Sequence, residues 1–277
     1  MQIFLILKSS EQIGYRMVTQ HQRVVNGFLI DLDGVLYEGE TVIPGAVDTL
    51  HFLLKKQIPF LLITNTTRKS RFGIQNKLQR MGFRIPLEQI FSAPYAAAEW
   101  LRAHQAKSLY LFVRGDVFRE FSEFKSTLYK PEYIVIGDMG EDLTYERLNQ
   151  AFRMIMGGAR IIALQKNRFW KKEDGLVIDA GAIVAALEYA TRKRAIVIGK
   201  PRREFFRQAI KRLGLPAEKI AIIGDDLEAD IQGGARVGLF TIAVKTGKFR
   251  EQDLQRARLK PDLILGTFAD LPKLFKF

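Results

Sequence analysis

The chain has no cysteine, which excludes disulfides, thiol chemistry and cysteine-held metal sites. It has only three histidines, His21, His51 and His104, too widely spaced to predict a histidine metal cluster. Any metal must then be held by oxygen, which points to Mg²⁺ or a relative. Long hydrophobic runs are also missing: the apolar start, Met1 to Leu7, is far too short to span a bilayer. It has no basic region ahead of it and no small-residue cleavage site after it. It is therefore read as neither anchor nor signal peptide, and the product as cytoplasmic. Acidic residues are in deficit, 30 Asp+Glu against 43 Lys+Arg, for a formal charge of +13. That balance suits nucleic acid, an anionic membrane surface or a phosphorylated small molecule. No zinc finger or RNA-binding aromatic motif accompanies it, and the basic residues are dispersed along amphipathic helices, as on a solvated surface.

What is present is ample for a core. The 277 residues are 47% hydrophobic and 26% charged, an ordinary globular composition with room for one large domain or two smaller ones. Residues 8–23 are polar without a clear period, and the first convincing strand begins at about Val24. Both Met1 and Met17 are open as the translation start.

The chain is organised around Phe28-Leu-Ile-Asp-Leu-Asp-Gly-Val-Leu36. Phe28 to Ile30 form a short apolar run, as in a strand buried on both faces of a parallel sheet. Asp31 and Asp33 follow at its end. Two carboxylates one residue apart repel each other and resist desolvation, and a divalent cation is the usual compensation. Gly34 lets the backbone turn around it. A calcium-binding EF-hand loop also begins D-x-D, but its twelfth position needs a bidentate Glu and here is Val42.

Taken in order, Pro44-Gly45 leads into a helix carrying Ala46, Val47, Leu50, Leu53 and Leu54 at helical spacing. Ile58 to Ile63 reads as a second buried strand ending at Thr64-Asn65-Thr66-Thr67, with Ser70 capping a helix that stops at Gly82. Strand–helix–strand–helix of these lengths is the doubly wound α/β pattern. From about Pro86 a second set follows: helix 94–104, strand 108–113, short helix 117–124, strand 133–136, a helix ended by Gly157-Gly158, strand 160–165 and helix 182–190. That suffices for a separate α/β domain of roughly 100 residues. Ala195 to Ile198 then runs into Gly199-Lys200-Pro201 and a helix. Lys219 to Ile223 ends in Gly224-Asp225-Asp226, with Asp230 beyond, and strands near 240–244 and 263–265 close the chain with a short helix. No internal repeat or low-complexity segment is found.

Four apolar strands thus end in polar residues: Asp31/Asp33, Thr64/Asn65, Lys200 and Asp225/Asp226. In an open α/β sheet ligands bind beyond the carboxyl ends of the strands, where these would converge. With D-L-D-G-V, I-T-N, G-K-P and G-D-D-L-E-A-D in this order, the sequence resembles the haloacid dehalogenase superfamily. Within it the chain is similar to the NagD-type branch, whose α/β cap is inserted between the second and third motifs. K-N-R-F-W-K at 166–171, A-L-E-Y-A-T at 186–191 and V-K-T-G-K-F-R at 244–250 resemble the phospholysine phosphohistidine inorganic pyrophosphate phosphatase group. The resemblance covers about residues 24–275. It implies a doubly wound core of 24–86 and 193–277, an α/β cap of 87–192 and an N-terminal extension of 1–23.

The resemblance implies a Mg²⁺-dependent phosphatase working through an aspartyl-phosphate. Asp31 would be the nucleophile and Asp33 the general acid and base. Asp31, the Asp33 carbonyl and Asp225 would hold Mg²⁺. Thr64, Asn65 and Lys200 would bind the phosphoryl oxygens, and Asp226 and Asp230 would stand behind the metal ligands, orienting its water. Dehalogenases need neither a second Asp nor a metal, and transport ATPases need membrane spans. Receiver domains place their phosphoacceptor on a later strand. The resemblance implies a small phosphorylated substrate, a phosphoramidate or pyrophosphate, with nucleotide, sugar or pyridoxal monophosphates as alternatives. No nucleic acid or membrane partner is expected, and a homodimer is compatible with the sequence. A degenerate member serving only as a binding module is the non-enzyme alternative. In the insert, Lys166, Arg168, Phe169 and Trp170 form a basic-aromatic loop that either selects the leaving group, through Arg168 and Trp170, or is a solvated hairpin with Trp170 packed inward. Asp179 reads as the cap of the next helix.

Overall fold

The computed structural model describes residues 3–5, 23–172 and 175–275; the expectations for residues 8–22, including a start at Met17, lie outside these. In chain order the elements are β1 (Ile3–Leu5), β2 (Arg23–Val25), β3 (Gly27–Asp31), β4 (Tyr37–Glu38), β5 (Thr41–Val42), α1 (Ala46–Lys55), β6 (Phe60–Thr64) and α2 (Arg71–Arg80). Next come β7 (Ile90–Ser92), α3 (Ala93–Ala103), β8 (Ser108–Phe112), β9 (Lys125–Ser126), β10 (Tyr133–Ile136), α4 (Tyr145–Met156), β11 (Arg160–Ala163), β12 (Phe169–Lys172), β13 (Gly175–Ile178), α5 (Ala180–Thr191) and β14 (Ile196–Val197). The last are α6 (Arg203–Leu213), β15 (Ile220–Gly224), α7 (Gly233–Ala235), β16 (Phe240–Val244), α8 (Glu251–Arg256) and β17 (Leu263–Leu265). Among the described residues no helix is long and apolar enough to cross a membrane.

The chain divides into two compact units. The first comprises Met1–Ile63, Met81–Phe83 and Phe206–Phe277, the second Thr64–Arg80 and Arg84–Phe205. In the first unit β17, β16, β15, β3 and β6 lie side by side, every pair parallel. β3 and β15 are buried along their whole length, as their unbroken apolar runs require of strands covered on both faces. α1 buries Ala46, Thr49, Leu50 and Leu53, the stripe that the helical spacing predicts.

The second unit has its own parallel sheet in the order β14-β11-β10-β8-β9. Its core joins Phe112, Ile134, Ile136 and Ile161 of the sheet to Ile155 of α4 and Val184 and Leu187 of α5. Ser92 caps α3 and Thr144 caps α4, each through its side-chain oxygen, and Pro94 sits in the first turn of α3. The architecture is the α/β one expected, parallel sheets flanked by helices.

Three sequence expectations change. The strand before Lys200 does not join the sheet that ends in Asp31; Ile196 and Val197 pair with Ile162 and Ala163 at the edge of the second sheet. An apolar run shows that a strand is covered, not which sheet covers it. Ile3–Leu5, expected to form no element, pair antiparallel with Arg23–Val25. The short helix expected at 117–124 is a 3₁₀ segment at Gly115–Phe121.

Candidate active site

In the first unit, β3 and β15 are parallel neighbours with Ile30 opposite Ile223, so Asp31 and Asp225 leave the sheet at the same edge. The chain then turns through a short π-helical segment, Leu227–Gln232, which brings Asp230 back. One carboxylate oxygen from each of Asp31, Asp225 and Asp230 lies within 4.8 Å of the others, and all three residues are buried. Two glycines permit this crowding. A Cβ on Gly34 would fall 2.0 Å from Asp225 Oδ2, and one on Gly247 would fall 2.1 Å from the same oxygen. Both residues have positive φ, 83° and 59°, a conformation that a side chain would also disfavour.

Backbone donors supply part of the compensation. Leu32 N–H donates to Asp31 Oδ1 at 2.8 Å and Lys248 N–H to Asp225 Oδ2 at 2.6 Å. It is not enough: burial, with the neighbouring Asp31 charge second, pushes the Asp225 carboxyl up to about 7 against the pull of Lys248. Burial together with the charges of Asp33 and Asp31 likewise raises the Tyr37 phenol far above its usual range, so it stays neutral. Three buried carboxylates with one held protonated to near neutrality form an all-oxygen donor set that fits a hard divalent cation. Asp33 lies outside this cluster; it is exposed and bridges to Tyr37 at the turn. Asp226 turns away as a helix cap, accepting from Glu228 N–H and Ala229 N–H at 3.0 and 2.9 Å, with Lys248 Nζ at 3.3 Å.

In the second unit the structure brings Asn65 and Lys200 together. Asn65 Nδ2 donates to the Lys200 carbonyl at 2.9 Å, and Lys200 N–H donates to Asn65 Oδ1 at 2.8 Å. One side chain thereby fixes both backbone groups of the buried Lys200. Thr64 Oγ1 accepts from Thr66 N–H at 3.1 Å, which holds the turn after β6.

The basic-aromatic stretch is a hairpin, with Phe169 opposite Ile178 and Trp170 opposite Val177. Asp179 caps α5, as expected, and also accepts from Gln165 Nε2 at 2.6 Å. Lys166 is taken up by Glu188 at 2.5 Å. Arg168 is exposed beside Phe169, whereas Trp170 is half-buried with the Arg68 guanidinium 5.4 Å from its ring centroid. Arg68 is itself held by Asp138 at 2.7 Å. Sequence reasoning passed over Arg68 and Asp138 and gave Gly247 and Lys248 no role beyond their place in V-K-T-G-K-F-R. Arg68 sits in the Thr-Thr-Arg turn directly after the Thr64-Asn65 strand end, and that position was the available signal.

Two family models match this chain, haloacid dehalogenase-like hydrolase over residues 28–125 and HAD-hydrolase-like over residues 197–271. The human phospholysine phosphohistidine inorganic pyrophosphate phosphatase is 36% identical over 252 residues, covering 89% of this chain and 92% of the relative. The rat haloacid dehalogenase-like hydrolase domain-containing protein 2 is 34% identical over 247 residues, 89% and 94% of the two chains. Among solved structures, 4-nitrophenylphosphatase from Thermotoga maritima superposes with a TM-score of 0.85 at 28% identity, covering 90% of this chain and 97% of that one. NagD from E. coli K-12 gives 0.82 at 25% identity, covering 89% and 98%. The chain belongs to the haloacid dehalogenase-like hydrolases and, within them, to the NagD-like phosphatases.

Proposed function

We infer that the protein is a Mg²⁺-dependent phosphatase that hydrolyses a small phosphorylated substrate through an aspartyl-phosphate. The observation that carries this reading is the buried cluster of Asp31, Asp225 and Asp230, whose charge asks for a cation at the end of β3. Asp31 and Asp225, with the Asp33 carbonyl, would hold Mg²⁺, and Asp230 offers a third carboxylate within reach. When bound, the ion neutralises these carboxylates and draws charge from the phosphoryl oxygens. Asp31 attacks phosphorus, and the bond to the leaving oxygen breaks as Asp33 gives that oxygen a proton. Asp33 then takes a proton from the water that hydrolyses the acyl phosphate. The exposure of Asp33 suits a group that must exchange protons with substrate and solvent in turn. Thr64, Asn65 and Lys200 bind the phosphoryl oxygens, Lys200 held by the paired bonds to Asn65.

In this reading residues 24–86 and 193–277, apart from the strand Ile196–Val197, form the catalytic core, 87–192 the cap that chooses the substrate, and 1–23 an extension. The enzyme is cytoplasmic, with a homodimer compatible. The human relative, named for phospholysine, phosphohistidine and inorganic pyrophosphate, supports a phosphoramidate or pyrophosphate as substrate. The nitrophenylphosphatase and NagD neighbours support the second reading, a monophosphatase of nucleotides, sugars or pyridoxal phosphate.

Turnover of p-nitrophenyl phosphate with Mg²⁺ tests the reading first. Asp31→Asn should keep the fold and lower kcat by about a thousandfold or more, because the attacking carboxylate is gone. Turnover by neither protein would favour the binding module, and near-normal turnover of the variant would refute the nucleophile.

Titration of Asp225 gives a second expectation. Its folded value, about 7, lies above its ordinary 3.8, so the neutral form stabilises the metal-free protein. That contribution is complete below about pH 4 and is lost as pH rises through about 7. A cation replaces the proton, so the rise in melting temperature on adding Mg²⁺ should be larger at pH 8 than at pH 5.5. Asp225→Asn should abolish the difference. A shift independent of pH in the native protein would contradict the assignment.

The hairpin supplies a third. If Arg168 and Trp170 meet the leaving group, replacing either by Ala should cut kcat/KM for the preferred ester by roughly tenfold, about 1.4 kcal/mol. A substrate too small to reach them should be hydrolysed almost normally. If Trp170 only packs on Arg68, Trp170→Ala should lower the melting temperature and leave the ratios among several esters unchanged.

A further inference from the structure

We propose that the first unit carries a second ligand site, for a phosphate-bearing organic molecule of nucleotide size, at the edge of the sheet opposite the carboxylates. A cavity of about 450 Å³ is lined there by Arg207, Ile210, Lys211, Ala217, Arg236 and Val237. Its place follows from the chain. Ala217 comes just before β15 begins at Ile220, and Val237 just before β16 begins at Phe240, so the cavity opens at the amino ends of two central strands. Asp31 and Asp225 follow the carboxyl ends. A five-residue strand rises about 17 Å at roughly 3.3 Å per residue, which separates the two sites. The site does not rest on the catalytic reading above.

The lining chemistry names the ligand class. Arg207 and Lys211 stand one turn apart on α6 and so share a face of that helix, and Arg236 follows α7. All three are exposed, and none has a side-chain hydrogen bond or ion pair among the described residues. Glu218 lies beside Ala217 in the chain but makes no ion pair with them among those residues. Three like charges around one concavity repel each other and focus a positive potential into it, which an anion relieves. Ile210, Ala217 and Val237, each half-buried, give the same cavity apolar surface. Cations combined with apolar surface favour an organic anion over an inorganic one, and the volume is that of a small-molecule pocket. Guanidinium groups bind phosphate with two parallel bonds, so multiple phosphates on an apolar or aromatic body match the set best.

The probe is α,β-methylene ADP, which resists hydrolysis. It would be titrated calorimetrically into the full chain, in chelator at low ionic strength. The native protein and Asp31→Asn should both bind one equivalent with the same affinity. The double variant Arg207→Gln/Arg236→Gln should bind at least tenfold more weakly, and Lys211→Gln should fall between. The surface variants should retain the native melting temperature and the native turnover of p-nitrophenyl phosphate without nucleotide. No binding to the native protein, undiminished binding to both surface variants, or loss confined to Asp31→Asn would overturn the proposal. So would displacement of the nucleotide by an oligonucleotide of lower dissociation constant, which would make the surface a polymer site.

Discussion

Three carboxylates form one buried cluster at the end of β3, and their mutual repulsion is the constraint on which the rest of the site depends. Charge taken out of water and set against like charge costs several kcal/mol unless it is compensated. The chain compensates in steps. The Leu32 and Lys248 amides each give a hydrogen bond, and Gly34 and Gly247 clear the space around Asp225. Burial and the Asp31 charge still push the Asp225 carboxyl well above its ordinary value, so part of the compensation remains to be supplied. In the proposed mechanism a divalent cation would supply it and would also offset the charge of the phosphoryl oxygens.

The parallel sheet turns this local problem into a stable arrangement. β3 and β15 are rigid, buried neighbours in fixed register, so the carboxylates that follow them are positioned by backbone rather than by flexible loops. Asn65 does corresponding work in the second unit, where two hydrogen bonds to one residue's backbone hold Lys200. The hairpin bearing Trp170 is less deeply set, with Phe169, Leu176 and Ile178 exposed.

Much of this was legible in the sequence because buried parallel strands read as unbroken apolar runs and their ends as the first polar residues. Asp31, Asn65, Lys200 and Asp225 were found that way. What escaped depended on the path of the chain after the strand. Asp230, expected to stand behind the metal ligands, joins the cluster itself because Leu227–Gln232 turns tightly, while Asp226, next to Asp225, caps that turn. Gly247 and Lys248 lie beyond the following strand, and no local pattern reports their approach to Asp225. Arg68 was missed for a related reason, because its partners Asp138 and Trp170 are distant in sequence. The strand at Ile196–Val197 was assigned to the wrong sheet because hydrophobic pattern carries no information about partner strands.

In the proposed mechanism Asp31 becomes covalently phosphorylated. The most direct measurement is acid quenching during turnover of a ³²P-labelled ester, followed by peptide mapping by mass spectrometry. The account predicts a hydroxylamine-labile phosphate on the peptide containing Asp31, absent from Asp31→Asn and absent when chelator is present before substrate. Phosphate released in the first turnover with no labelled peptide would contradict it, as would label on any other residue.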